Sequence, residues 1–191
     1  MRRWTVLAVA SVLLVAACDD KQSVHVVGDS ITGQSRTELI VQLHERGWDT
    51  TVDYVGGTRM APVQPFEVVW WLRIQKLFRY GVPKVLVVGL GTNDCLAQSQ
   101  GMRSGINKMM QAAERVDRVY WVNSPSVNCD DLEAELRAAD RRFPDLTVLD
   151  AASHFASNRA EWIAGDGIHL TPRGIDEMAR FVARGITDAE N

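Results

Sequence analysis

Four short stretches of this 191-residue chain carry residue types that together can perform acyl transfer: Gly28-Asp29-Ser30, Gly56-Gly57, Gly91-Thr92-Asn93-Asp94 and Asp166-Gly167-Ile168-His169. A serine hydroxyl becomes a useful nucleophile only when a base removes its proton, and the usual base is a histidine oriented by a carboxylate. Asp166 and His169 stand three residues apart in a glycine-containing loop. That spacing lets the carboxylate reach Nδ1 and leaves Nε2 free to approach Ser30. The intermediate also needs donors aimed at its oxyanion. Candidates are the Ser30 backbone N–H, a glycine N–H from the Gly56-Gly57 pair, and the uncharged side-chain amide of Asn93. Taken alone, Ser30 reads equally well as a helix cap.

The remaining candidates have plainer readings beside the chemical ones. His25 lies in a strand and is expected to be packed or hydrogen-bonded, and His44 on a helix is expected to be solvated; His154 follows a strand without a motif around it. Trp70 and Trp71 could offer a sugar-stacking platform, but a helix packing aromatics into the core is the favoured reading. Arg59 either meets an anionic group or is a solvated loop residue, and Asn128 either lines the site or shapes a turn.

The elements that position these residues follow from hydrophobic periodicity. Strands are expected near 24–27, 50–55, 84–90, 118–123 and 146–150. Helices are expected from Ser30 to Arg46 (stopped by Gly47), over Phe66–Tyr80, Met102–Val116 and Asp131–Phe143, and from Pro172 to about Arg184. Thr58–Pro65 reads as a loop, and the segment after 150 as irregular. Val85-Leu86-Val87-Val88 is a near-continuous apolar run, as in a central strand covered on both faces. Five alternations of strand and helix imply an α/β fold with a parallel sheet between two helix layers. All four stretches then fall at or near the carboxyl ends of strands, where such sheets place their sites.

The N-terminus is unlike the rest. Arg2 and Arg3 precede an apolar run, Trp4–Ala17, too short to span a bilayer comfortably but suited to a signal peptide. It ends Leu14-Val15-Ala16-Ala17-Cys18, which resembles a bacterial lipobox with Cys18 as the lipid-modified residue. Residues 1–17 are therefore read as a lipoprotein-type signal peptide, 18–23 as a tether and 24–187 as a single domain, exported and held to the membrane by lipid. With Cys18 assigned to lipidation, Cys95 and Cys129 remain, both after strand ends on the same rim, and a disulfide between them is expected in an exported protein. Two cysteines without a Cys/His cluster do not make a metal site. A net charge of −3 and a pI near 5.8, with no basic stripe, argue against a nucleic-acid partner.

In their order and placement, Gly28-Asp29-Ser30, the glycine after the second strand, Gly91-Thr92-Asn93-Asp94 and Asp166-Gly167-Ile168-His169 resemble the four blocks of the SGNH (GDSL-like) hydrolases. The resemblance spans essentially the whole mature chain. It implies a three-layer α/β/α, flavodoxin-like fold with Ser30 as nucleophile, His169 as base and Asp166 as its orienting carboxylate. It also implies an oxyanion hole from Ser30, Gly57 (favoured over Gly56) and Asn93, and no cofactor. Ile31 departs from the family's usual leucine. Asp29 is expected to fix the turn and Asp94 to support the Asn93 loop or cap a helix. The segment Val119–Pro125 resembles the corresponding strand in cell-wall O-acetyltransferases. The expected activity is hydrolysis of short acyl esters, acetyl foremost, of a carbohydrate or small molecule in a shallow groove. The alternatives are O-acyl transfer to envelope glycans by the same triad and a weakly active surface binding module.

Overall fold

In the computed structural model the structure describes residues 22–190 apart from 63, 65 and 66. The signal-peptide run and Cys18 lie outside the described residues. In chain order the elements are β1 (Ser23–Gly28), α1 (Ser30–His44), β2 (Asp49–Tyr54), α2 (Trp70–Leu77), β3 (Val85–Gly89), α3 (Thr92–Leu96), α4 (Met102–Ala112), β4 (Arg118–Val122), α5 (Asp130–Asp140), β5 (Leu146–Leu149), α6 (Ala151–Ala156), α7 (Arg159–Trp162) and α8 (Pro172–Glu190). The five strands form one parallel sheet in the order β2-β1-β3-β4-β5. β1 and β3 thus hold the middle of the sheet, where the chain reverses its direction of travel and where α/β folds open a crevice for ligand.

β3 shows how an apolar run becomes a central strand. Val85 and Val87 face one core, with Leu43, Trp48, Phe155, Met178 and Val182. Leu86 and Val88 face the other, with Trp70, Ile74, Ile106, Trp121 and Leu136. Both faces of β3 are therefore closed to water, and its carboxyl end is where backbone and polar side chains stay accessible.

Several expected elements differ. The helix anticipated over Phe66–Tyr80 begins only at Trp70, after Val69 in an extended conformation. The preceding stretch is held as a loop: Glu67 is ion-paired with Arg59, and its other carboxylate oxygen accepts the Gln64 N–H. The strand-closing Gly-Thr-Asn-Asp is not merely a loop, because α3 starts at Thr92 behind Gly91 at φ 128°. The irregular segment after 150 contains α6 and α7, the first capped by the Asp150 side chain on the Ser153 N–H. β1 begins at Ser23, one residue inside the expected tether, and the helix expected to reach Val116 stops at Ala112.

α8 is seated on α7 by a glycine. A Cβ built on Gly174 would stand 2.0 Å from the Trp162 carbonyl oxygen, a backbone atom that cannot swing aside. The same carbonyl accepts the Thr171 N–H at 3.0 Å. Gly174→Ala should therefore push α8 away from the loop it anchors and cost about 1–3 kcal/mol of stability, as overpacking does. Chemical denaturation checks this, and a stability equal to wild type contradicts it.

Candidate active site

The turn after β1 is built around a buried carboxylate. Asp29 is 1% exposed. One of its oxygens accepts the Ile31 N–H at 3.0 Å and caps α1, and the other accepts Asn93 Nδ2 at 3.2 Å. Ser30 is accordingly not the cap but the first residue of the helix, half-buried, with its own N–H among the four helix-start donors that have no intrahelical acceptor. The positive end of the helix dipole adds to that donor's preference for negative charge. Burial pushes the Asp29 carboxyl up to about 6, opposed by its hydrogen bonds to Ile31 and Asn93.

His169 reaches this turn from the far side. Its Nε2 lies 3.2 Å from Ser30 Oγ, and its Nδ1 lies 2.6 Å from Asp166 Oδ2. The other Asp166 oxygen accepts the N–H groups of Ile168 and His169, both at 2.9 Å. These bonds, the His169 imidazole first, hold the Asp166 carboxyl down to about 2. It therefore stays ionised in any working buffer and fixes the imidazole with Nδ1 as donor. An isolated bridge between Ile163 and Leu170 closes the loop, as does the Ala164 N–H to the His169 carbonyl at 2.8 Å.

Two residues outside the four motif stretches pin the loop to the sheet. Gln34, one helical turn after Ser30, accepts the Leu170 N–H at 3.2 Å. Arg159 donates to the Ser126 carbonyl at 2.5 Å and to the Gly167 carbonyl at 3.3 Å, joining the loop after β4 to the histidine loop. Gln34 was findable from its one-turn spacing to the serine. Arg159 left no signal, since a lone surface arginine is common.

Asn93 sits on the first full turn of α3, its amide held by Asp29, so its nitrogen end is fixed toward the nucleophile turn. Asp94, expected to support the Asn93 loop or cap a helix, ties the Asn93 stretch to the loop after β2. It is fully buried and accepts the N–H groups of Met60 and Ala61 at 2.9 and 3.1 Å, clamping the loop that follows β2. Burial raises its carboxyl above the usual range against those bonds. In the glycine pair of that loop, a Cβ on Gly56 would point to within 3.9 Å of Ser30 Cβ, while Gly57 adopts φ 71° in open space. Cys95 and Cys129 are joined in a disulfide with Cα atoms 5.8 Å apart, tying α3 to the N-cap of α5.

Other candidates lie apart from this cluster. Trp70 is fully buried and donates to Thr58 Oγ1 at 3.2 Å, so it belongs to the core; Trp71 is covered by Lys108 at 4.5 Å. Arg59 is neither solvated nor vacant, being paired with Glu67. His154 is bonded to Glu177 at 2.8 Å and stacked on Phe181. His44 and Asn128 are exposed. His25 is packed, its Nε2 buried without a partner, and burial lowers its pKa. Among the described residues no group of three His, Cys, Asp or Glu could hold a metal, and no helix is long and apolar enough to cross a membrane. A small cavity lies behind the site. It is lined by Asp29, Thr32, Ser35, Leu39 and Met178 but by neither Ser30 nor His169.

No protein-family model matches this chain, and no curated protein matches its sequence. Solved structures do. Est24, a carbohydrate acetylesterase from Sinorhizobium meliloti, is 13% identical with a TM-score of 0.67, covering 88% of this chain and all of that one. The aryl esterase of M. smegmatis is 12% identical with a TM-score of 0.66, covering 87% of this chain and 99% of that one. The C-terminal catalytic domain of the Streptococcus pneumoniae peptidoglycan O-acetyltransferase OatA is 14% identical with a TM-score of 0.62, covering 88% and 92%. These likenesses show the fold, a five-stranded parallel sheet between helix layers, which is shared over most of the chain with a putative SGNH hydrolase from Slackia heliotrinireducens as well (16% identical, TM-score 0.68).

The Asp29–Asn93 contact carries a pH signature. Asp29 binds its proton more readily in the folded chain than an ordinary carboxylate, so its ionised form disfavours folding above about pH 6 and that penalty is relieved as pH falls toward 4. Protonation costs one of its two acceptor roles. Asp29→Asn keeps a capping oxygen but faces Asn93 with a second amide. We expect a folded variant with kcat lower by roughly 10- to 100-fold, a part of the loss of a whole oxyanion donor. Its pH–rate profile should lack the component of the acidic limb centred near 6. Retention of that component contradicts the assignment.

Proposed function

We propose that the chain is a serine ester hydrolase that removes short acyl groups, acetyl foremost, from a carbohydrate or small ester. The observation that carries this reading is the continuous relay from Ser30 Oγ through His169 to Asp166 at 3.2 and 2.6 Å. In this mechanism Ser30 Oγ attacks the ester carbonyl and its proton passes to His169 Nε2. Asp166 holds Nδ1 and stabilises the imidazolium without taking the proton. The oxyanion is met by the Ser30 N–H, the Gly57 N–H and Asn93 Nδ2. The carbonyl re-forms as the alcohol leaves with the proton from His169, giving an acyl-serine. Water, deprotonated by His169, then attacks the acyl-serine and releases the acid and free Ser30. Each step returns the atoms and charges that it borrows, and no cofactor or metal is needed.

The His169 and Asp166 side chains are 40% and 48% exposed. That openness supports a second reading, in which a sugar hydroxyl rather than water receives the acyl group from the same triad. The likeness of the fold to an O-acetyltransferase domain supports it as well. Product analysis with and without a glycan acceptor separates the two. A weakly active binding module is disfavoured, since all four motif stretches are present and the relay is assembled.

Turnover of a panel of acetyl, butyryl and longer esters tests the enzyme reading. Ser30→Ala should lower kcat by at least about a thousandfold, and Asn93→Ala by about a hundred- to a thousandfold with a smaller change in KM. Equal activity of wild type and Ser30→Ala overturns it, and a preference for long-chain esters overturns the short-acyl assignment. We also propose that the protein is exported and anchored through a lipid on Cys18. Cells given an alkyne-bearing fatty acid should label the wild-type protein, and Cys18→Ser should lose the label; a labelled serine variant contradicts the anchor.

A further inference from the structure

The chain enters the fold at the amino edge of the parallel sheet, and Ser30 stands past the carboxyl edge. Backbone donors trace the amino rim. The Asp49 N–H donates to the Gln22 carbonyl at 2.8 Å, and the Lys84 N–H to Ser23 Oγ at 3.1 Å. Further along, the Asp117 N–H donates to the Lys84 carbonyl at 3.1 Å and the Val119 N–H to the Asp145 carbonyl at 2.8 Å. β1 starts on this rim at Ser23, and Ser30 lies seven residues on, about 23 Å away at the rise of a strand. Cys18, the proposed lipid-bearing residue, is five residues before Ser23, which allows a reach of at most about 18 Å. With the Ser30 edge turned squarely to a bilayer, Ser23 would stand beyond that reach.

The residues beside the entry point suit a headgroup layer. The connection from α2 into β3 is bonded to Ser23 through Lys84. It carries Tyr80, which is 89% exposed, next to exposed Arg79 and four residues after exposed Lys76. From Val68 to Asn93 the chain has no acidic residue, and its basic residues are Arg73, Lys76, Arg79 and Lys84. Arg73 is paired with Asp53. The other connections that enter strands, 45–49, 114–118 and 140–145, hold five basic and six acidic residues, so the positive surplus is local to Tyr80. Toward the opposite edge Asp130, Asp131, Asp150 and Asp166 are exposed. An anionic lipid surface therefore attracts the first edge and repels the second. A tyrosine between basic side chains suits a membrane–water boundary, with its ring among headgroups and its hydroxyl wet. A second copy of this chain fits less well, because a two-fold contact through this patch sets like charges against each other.

We propose that the amino edge around Tyr80, Lys76 and Arg79 docks on the anionic lipid surface that holds the Cys18 anchor, so that the Ser30 edge opens away from the bilayer. The inference rests on the anchor proposed above and is independent of the esterase reading. Substrate then arrives from the aqueous side rather than from the membrane's own lipids. The test uses full-length protein purified from cells and reconstituted in vesicles of phosphatidylethanolamine and phosphatidylglycerol. A fluorophore is attached at Tyr80→Cys or, two residues before Arg159 and the histidine loop it holds, at Ser157→Cys, with Cys95 and Cys129 kept in their disulfide. A quencher carried at headgroup depth should extinguish most of the signal at 80 and little of it at 157. Lys76→Glu/Arg79→Glu, or exchange of phosphatidylglycerol for phosphatidylcholine, should about halve the quenching at 80. Near-UV circular dichroism like that of wild type shows that the variants are folded. Vesicle-bound protein quenched equally at both positions, or more at 157, overturns the docking and leaves the anchor standing, as does quenching at 80 that ignores both charge changes. A dimer in detergent that Arg79→Glu dissociates assigns the face to a second copy and overturns the lipid surface. Protein that fails to float with the vesicles overturns the anchor, and the docking falls with it.

Discussion

A carboxylate taken out of water has to be met by donors, and the edge of this sheet is organised around two that are. Asp29 and Asp94 are 1% and 0% exposed, and between them they accept four hydrogen bonds from three separate segments. An unpaired buried charge would cost several kcal/mol, so each donor is pulled to a fixed place. Asp29 joins the end of β1, the first turn of α1 and the amide of Asn93. Asp94, next in sequence to Asn93, draws in the loop after β2. The Ser30 turn and the two other stretches proposed to supply oxyanion donors are thus located by polar bonds under the surface rather than by contacts on it. The raised Asp29 and Asp94 carboxyls record the desolvation that this arrangement sustains.

The base half of the site obeys a different rule. Asp166 and His169 are exposed and lie on a loop, where a lone ion pair contributes little to stability. Their geometry comes instead from local closure: the Ile163–Leu170 bridge, the two N–H groups on Asp166, Gln34 beneath and Arg159 alongside. One half of the machinery is buried and rigid, and the other is wet and held at its ends. That division suits the chemistry, because an oxyanion hole works by preorganisation whereas the base must admit a second substrate.

Legibility in the sequence follows the same division. The five strands and the parallel, three-layer fold were readable because a central strand such as Val85–Val88 is apolar on both faces. Ser30, His169 and Asp166 could be singled out because serine, histidine and aspartate at strand ends have few other reasons to coincide, and the structure brings them within hydrogen-bonding reach. The partner of Asp94 was not readable, since its bonds run to backbone N–H groups more than thirty residues away, and a backbone donor carries no residue type. α3 was hidden because four residues closing a strand are too short to show a helical period. The late start of α2 depended on Glu67 being spent on Arg59 and Gln64, a tertiary choice over local propensity.

The same division bears on the acyl group. A long chain is selected by apolar burial, at about 0.8 kcal/mol for each methylene removed from water. One small apolar hollow among the described residues is lined by Val26, Ile31, Leu39, Met178 and Val182 and includes Asp29, but not Ser30, on its wall. To open it toward the nucleophile, the chain would have to displace the carboxylate that caps α1 and holds Asn93. The proposed oxyanion hole and a deep acyl tunnel would therefore compete for one space, whose wall includes the Asp29 carboxylate. Beside Ser30 stand Gly56 on one side and the half-exposed His169 imidazole on the other, an arrangement that supports the proposed small acyl group.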